Sequence, residues 1–282
     1  MNNKNLLIFL FKIIPKALVS RIVGGLAEIS LPKFILHPLI EFFCSKYGVN
    51  KDEIFVPEGG FRSFDQFFTR NLREGVHIFD SSEASVISPV DAVVDQFGQI
   101  NHTNLIQAKG IEYSLRDLIP SESCIDYTDG AFMTLYLSPA DYHRIHSPVS
   151  GRVVGCFHIP GKLFTVQDYM VNGLKGLFTI NERFISYIMG DYGMVAVCKV
   201  GAMNVGRISL SYSDKVTNKA FRKRCELLFH QDSQPEISKG EELGIFHLGS
   251  TVILLFQKDA VKFEDIIIGT KVRVGERIAS FL

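Results

Sequence analysis

The chain has 282 residues, 46% of them hydrophobic and 21% charged, which is enough to build a sizeable core without disulfides or metals. Its 30 Lys and Arg balance 30 Asp and Glu, which excludes the global basic field of a nucleic-acid-binding protein. Five cysteines, odd in number and without a C-x-x-C pair, exclude a disulfide framework and a structural zinc site and fit free thiols in a reducing compartment.

The first 40 residues are basic: Lys4, Lys12, Lys16, Arg21 and Lys33 stand against Glu28 alone. The apolar run at 6–11 is broken by Lys12 and stopped by Pro15, whereas a spanning helix needs about 20 nearly unbroken apolar residues. The pattern predicts a segment lying in a membrane interface. A pair of core helices with solvated lysines would show the same amphipathicity. Next, in FRSFDQFFTRNLR, Phe61, Phe64, Phe67 and Phe68 recur at helical spacing and Ser63 is a candidate cap, so a helix packed on the core is expected. From about Val86 the character becomes β: short apolar or β-branched segments begin near Val86, Ala92, Met133, Met194 and Thr251, bounded by Gly, Pro, Asp and Ser. SPVDAVV at 88–94 is echoed by SPVSGRVV at 147–154, a weak internal repeat of a turn leading into a strand. Residues 211–242 are rich in charge and read as a long solvated loop. The segment 271–278 adds a strand, a turn and a strand. The expected class is α+β: a membrane-associated helical region at 1–75, then a β-rich catalytic core at 76–282, sandwich-like or barrel-like with lipoyl-type hairpins.

Three local features carry candidate chemistry. Asp91 follows Ser88-Pro89-Val90 at the start of a strand, where an Asp ordinarily caps its own backbone. In SPADYHRIHSP at 138–148, Pro139 suits the first position of a helical turn, which would put His143 and His146 three residues apart on one face. Such a pair suits acid/base work or metal binding. Gly249-Ser250-Thr251 places a flexible residue and a nucleophilic hydroxyl directly before an apolar strand. A zinc hydrolase could use His143, His146 and Asp91, but a late H-x-H is missing and His247 stands alone. A lipoyl-like carrier would need a modifiable Lys in a hairpin turn, and none is identifiable.

Taken together, these stretches resemble the phosphatidylserine decarboxylases of the bacterial and mitochondrial type. The matching segments are FRSFDQFFTRNL (61–72), SPVD (88–91), LIQAKGIEYSL (105–115), LSPADYHRIHSP (137–148), IPGKLFTV (159–166), NER (181–183), VGA (200–202) and LGST (248–251), in order from about residue 40 to the end. The resemblance implies self-cleavage between Gly249 and Ser250 into a β chain, 1–249, and an α chain, 250–282. Ser250 then becomes a covalent pyruvoyl group, the Schiff-base site for phosphatidylserine, which loses CO2 to give phosphatidylethanolamine. It also implies that His146 is the base for cleavage, that Asp91 orients it, and that His143 assists decarboxylation by supplying a proton to Cα. No metal and no nucleic acid are implied. The implied setting is peripheral, on the cytoplasmic side of the cell membrane, as a homo-oligomer, a dimer. Two departures stand out: Ala92 where the family usually has Gly after the Asp, and His77-Ile78 where it usually has Arg-Pro.

Overall fold

The computed structural model describes residues 16–108, 111–203, 207–217, 223–247 and 250–282. Two helices come first, Lys16–Glu28 and Lys33–Tyr47. The second ends at Gly48, whose φ of +73° and N–H bond to the Cys44 carbonyl make the usual left-handed stop. Leu18, Ile22 and Leu26, spaced by four, are all exposed, as are Phe34, Ile35, Leu39 and Phe42. Their opposite side packs on the short helix Phe64–Phe68, which Ser63 caps as its sequence suggested by accepting from the Gln66 N–H at 3.2 Å. Phe43 sets its edge against Phe64, Phe67 and Phe68 with ring centroids 5.2, 5.9 and 6.0 Å away.

The rest is mainly β, so the class is α+β. One large antiparallel sheet runs in the order Cys225–Leu228, Gly151–Ile159, Arg183–Gly190, Gly193–Gly201, Ser250–Phe256, Ala131–Leu137, Ala92–Gln99 and Lys271–Val272. Its strands alternate between two cores, as a period of two requires. Val94, Leu135, Val197, Val252 and Leu254 face a layer formed by a four-stranded and a three-stranded sheet, which contribute Ile145, Ile208, Phe246 and Ile278. Cys198, Val200, Ile253 and Leu255 face the other way, toward Leu115, Tyr127, Met170 and Phe178 on short helices. All the sheets are open, and among the described residues none closes into a barrel. All five cysteines are free thiols, four of them buried.

Segments with alternating apolar residues are strands where expected. The solvated loop expected at 211–242 is instead interrupted by strands Ser213–Val216, Cys225–Leu228 and Glu236–Ile237. Each pairs with a neighbour of the core, so ladder hydrogen bonds override the polar composition.

The internal echo is structural. Ser88 exchanges main-chain hydrogen bonds with Glu276 and Gly275, and Ser147 does the same with Glu241 and Gly240. The two turns also bond to each other: Ile87 N–H to Pro148 O at 3.1 Å, and His146 N–H to Pro89 O at 2.8 Å. The candidate residues Asp91 and His146 both lie at this joint.

Candidate active site

Ser250 opens a central strand of the large sheet and pairs with Leu137 on one side and Gly201 on the other. Leu248 and Gly249, and with them the bond expected to be cut, lie outside the described residues, as does the Ser250 side chain. The strand leading to that bond, Glu242–His247, is fastened at its end by His247, which bonds the Asp65 carboxylate at 2.9 Å.

The helical turn expected at His143 and His146 is absent. The Asp141 carboxylate accepts the Ser138 N–H at 2.6 Å, and the Asp141 N–H returns to the Ser138 carbonyl at 3.1 Å, closing a tight turn instead. Burial pushes the Asp141 carboxyl up from its ordinary range. Arg144–His146 then runs as a strand paired with Glu242–His247, burying Ile145 between the sheets. The two histidines therefore sit in separate seats.

His143 is fully buried. Its Nδ1–H donates to the Asp141 carbonyl at 2.7 Å, its ring centroid lies 4.1 Å from that of Phe68, and its Nε2 has no partner. Burial pushes its pKa down to about 3, against the pull of the Asp141 carbonyl, so the ring is neutral at physiological pH. His146 donates through Nδ1 to the Gly240 carbonyl at 2.7 Å, and its Nε2 accepts from the Tyr142 hydroxyl at 3.1 Å. A carbonyl only accepts, so the proton sits on Nδ1 and the basic lone pair on Nε2. Burial lowers the His146 pKa, partly offset by the Gly240 carbonyl.

Asp91 Oδ1 accepts the Val274 N–H at 2.8 Å and the His77 Nε2–H at 2.9 Å. Asp91, expected to orient His146, makes no hydrogen bond to it: both bonding positions of His146 are taken by Gly240 and Tyr142. His77 stands between them, its ring centroid 5.1 Å from Tyr142 and 6.5 Å from His146. His77 and Tyr142 were the residues that sequence reasoning missed. The signal for His77 was its standing as an imidazole where the resembling family carries Arg. Tyr142 was in plain view inside the LSPADYHRIHSP motif. Ala92 begins its strand in ordinary extended backbone, opposite Val272, so no positive φ is needed there.

Two clefts share the wall 136–142. An apolar groove of about 530 Å³ is lined by Tyr136, Leu137, Phe68, Phe43 and Val23. A polar cleft of about 610 Å³ is lined by Asp141, Tyr142, Asp91, Arg70 and Lys271.

A family model described as "Phosphatidylserine decarboxylase" matches residues 64–280, a stretch that contains His77, Asp91, Tyr142, His143, His146 and Ser250. The chain belongs to the phosphatidylserine decarboxylase family. It is 37% identical to the "Phosphatidylserine decarboxylase proenzyme" of Myxococcus xanthus over 271 residues, 95% of this chain and 96% of the relative. Proteins of the same name from Alteromonas mediterranea and Vibrio cholerae are also 37% identical, over 94% of this chain and over 83% and 95% of theirs. Asp91, His143, His146, Gly249 and Ser250 of this decarboxylase all lie inside the family match, as does His77, the partner of Asp91.

Proposed function

We propose that this protein converts phosphatidylserine to phosphatidylethanolamine and CO2 after cutting its own chain between Gly249 and Ser250. The observation that carries the reading is the seat of Ser250: inside the family match, it is the first residue of a strand held on both sides by antiparallel partners. In the first reaction His146 is the base for the Ser250 hydroxyl, its Nε2 taking the proton through, or in place of, the Tyr142 hydroxyl from which it accepts, and the serine oxygen attacks the Gly249 carbonyl to exchange the amide for an ester. β-Elimination then breaks the ester, leaving the Gly249 carboxylate and a dehydroalanine that hydrolyses with loss of ammonia to a pyruvoyl group. Asp91 supports His146 through its charge and through His77. The cut leaves the product assembled, because 250–256, 271–272 and 277–281 stay paired with strands of the larger fragment.

The pyruvoyl group supplies the electron sink for the pair left on the substrate Cα when CO2 departs. The site fits such a group and its substrate: the buried, unpartnered Nε2 of His143 is an acceptor awaiting a donor, beside Phe68 on the wall of the apolar groove. His143 Nε2 accepts a hydrogen bond from the substrate amine and assists the delivery of a proton to Cα after decarboxylation. The groove accommodates acyl chains. The exposed apolar stripe of the first two helices, with their lysines, supports peripheral attachment to an anionic membrane surface. Among the described residues no helix is long and apolar enough to cross a membrane.

The test is mass analysis of purified protein, which should show two fragments, with the smaller one blocked to Edman degradation. A Ser250→Ala protein that still splits at this bond would sink the mechanism.

A further inference from the structure

Arg70 lies just past the helix Phe64–Phe68, almost wholly buried, and its hydrogen bonds go to main-chain carbonyls and not to any carboxylate. Nη2 donates to Ala140 O at 2.8 Å and reaches Asp141 O at 3.4 Å, Nη1 reaches Phe68 O at 3.5 Å, and the guanidinium carbon stands 5.3 Å from the Phe67 ring centroid. Its Nε–H is buried without a partner. A cation this deep, with no carboxylate hydrogen-bonded to it, is costly to keep and calls for a reason beyond packing. Burial alone lowers its pKa.

The reason lies in what the three carbonyls adjoin. The Asp141 carbonyl is the acceptor of the His143 Nδ1–H at 2.7 Å. Phe68 is the ring on which His143 leans, 4.1 Å between centroids. Arg70 therefore grips both sides of the seat of His143. We infer that Arg70 is a positioning residue for His143: it holds the Asp141 carbonyl and Phe68 in place, so that the imidazole proton stays on Nδ1 and Nε2 is left bare for the substrate. The planar guanidinium suits this work, since it spans several carbonyls while lying over a ring, which an ammonium cannot do. Its charge also opposes a second positive charge on His143, helping to keep that ring neutral.

The inference rests on the reading of His143 as the proton carrier of decarboxylation, and the experiment separates the two. In uncleaved Ser250→Ala protein, imidazole ¹⁵N shifts report the tautomer of His143. With Arg70 present, the signature is Nδ1–H and persists at pH 5. In Arg70→Gln and Arg70→Lys it becomes a mixture of tautomers that protonates nearer the ordinary histidine range. In cleavage-competent protein, Arg70→Gln still cuts its chain, since His146 has other partners. Its kcat for decarboxylation falls about tenfold or more while KM stays within about threefold, the pattern of a misplaced acid/base group. Arg70→Lys recovers part of kcat. If Arg70→Gln does not accumulate as folded protein, Arg70→Lys carries both measurements. An unchanged His143 tautomer in the variants overturns the inference, and so does wild-type kcat in Arg70→Gln. Wild-type kcat in His143→Asn instead overturns the reading on which it rests.

Discussion

In the turn 88–91 the Ser88 hydroxyl bonds Val90 O at 2.6 Å, and in the turn 147–150 the Ser147 hydroxyl bonds Val149 O at the same distance. Each turn docks on a glycine of positive φ, Gly275 at +92° and Gly240 at +83°, and each following glutamate bonds back to a main-chain N–H three residues earlier, Glu276 to Arg273 and Glu241 to Ser238. The fourth position plays one structural part in both copies: Asp91 accepts the Val274 N–H at 2.8 Å, and Ser150 accepts the Lys239 N–H at 3.0 Å. The copies differ in what is left over. Asp91 keeps a charge and meets His77, whereas Ser150 is neutral and exposed. The residue before the serine is His146 in one copy and Ile87 in the other. A duplicated scaffold thus sets the backbone, and the two residues proposed to act in cleavage, Asp91 and His146, stand at positions where the copies diverge.

Making the copies alike at the first of these positions should have the largest effect. His146→Ile gives the second turn the residue of the first, with similar volume, and removes the proposed base. Cleavage in cell-free pulse-chase should slow at least about 100-fold, the low end of what general base catalysis supplies. In the parent, the fall of the cleavage rate toward acid should begin below the ordinary histidine pKa. The sign follows from the burial that lowers the His146 pKa: the ring stays unprotonated, and active as a base, as pH drops through the usual range. A rate that halves near pH 6.5 or above would contradict that placement.

The second position sharpens the contrast. Asp91→Ser copies Ser150 and Asp91→Asn keeps the shape, and each can still cap Val274. If Asp91 only holds the turn, both cleave normally. The structure leads to the opposite expectation, a slowing of about 10- to 100-fold in both, smaller than loss of the base because the carboxylate makes no hydrogen bond to His146 and acts on it through its charge and through His77.

The glycines separate the copies in stability. Positive φ penalises alanine at both, by about 1–3 kcal/mol. At Gly275 an added Cβ would also stand 2.5 Å from the Ile78 carbonyl, a main-chain atom, while at Gly240 it would meet the Phe79 ring edge at 2.6 Å, which can turn aside. In the Ser250→Ala background, urea titration should therefore show Gly275→Ala to be the more destabilising of the two. Equal losses would mean that Phe79 is held as firmly as a backbone.

Much of this was legible in the sequence. The Phe-rich helix, its Ser63 cap and the strands followed from periodicity and capping chemistry, because those signals are local. The echo of SPVD and SPVS was visible, yet its meaning as two reciprocally bonded turns needed Gly240 and Gly275, which arrive from far along the chain. The histidine turn was misread as helical because Pro139 suits a helix start, whereas the Asp141 side chain offered the backbone a tighter closure. The partnership of Asp91 with His77 was out of reach for the same reason as the ladders within 211–242: the imidazole at 77 was visible, but tertiary pairing decides its partner.

The smallest expected effect is the strictest check on the comparison. Ser150→Asp puts a carboxylate at the matching place in the second turn, where it can accept the Lys239 N–H as the serine does. The position is exposed, so the charge is solvated and stability should move by less than about 0.5 kcal/mol. Among the described residues no histidine bonds Ser150 as His77 bonds Asp91, so cleavage should be unchanged. Combined with Asp91→Ser, it should fail to restore cleavage, even though the duplicated turns then carry the same number of carboxylates as before. Restoration in the double variant would show that a negative charge anywhere on this joint suffices. The contact between Asp91 and His77 would then be incidental to the reaction.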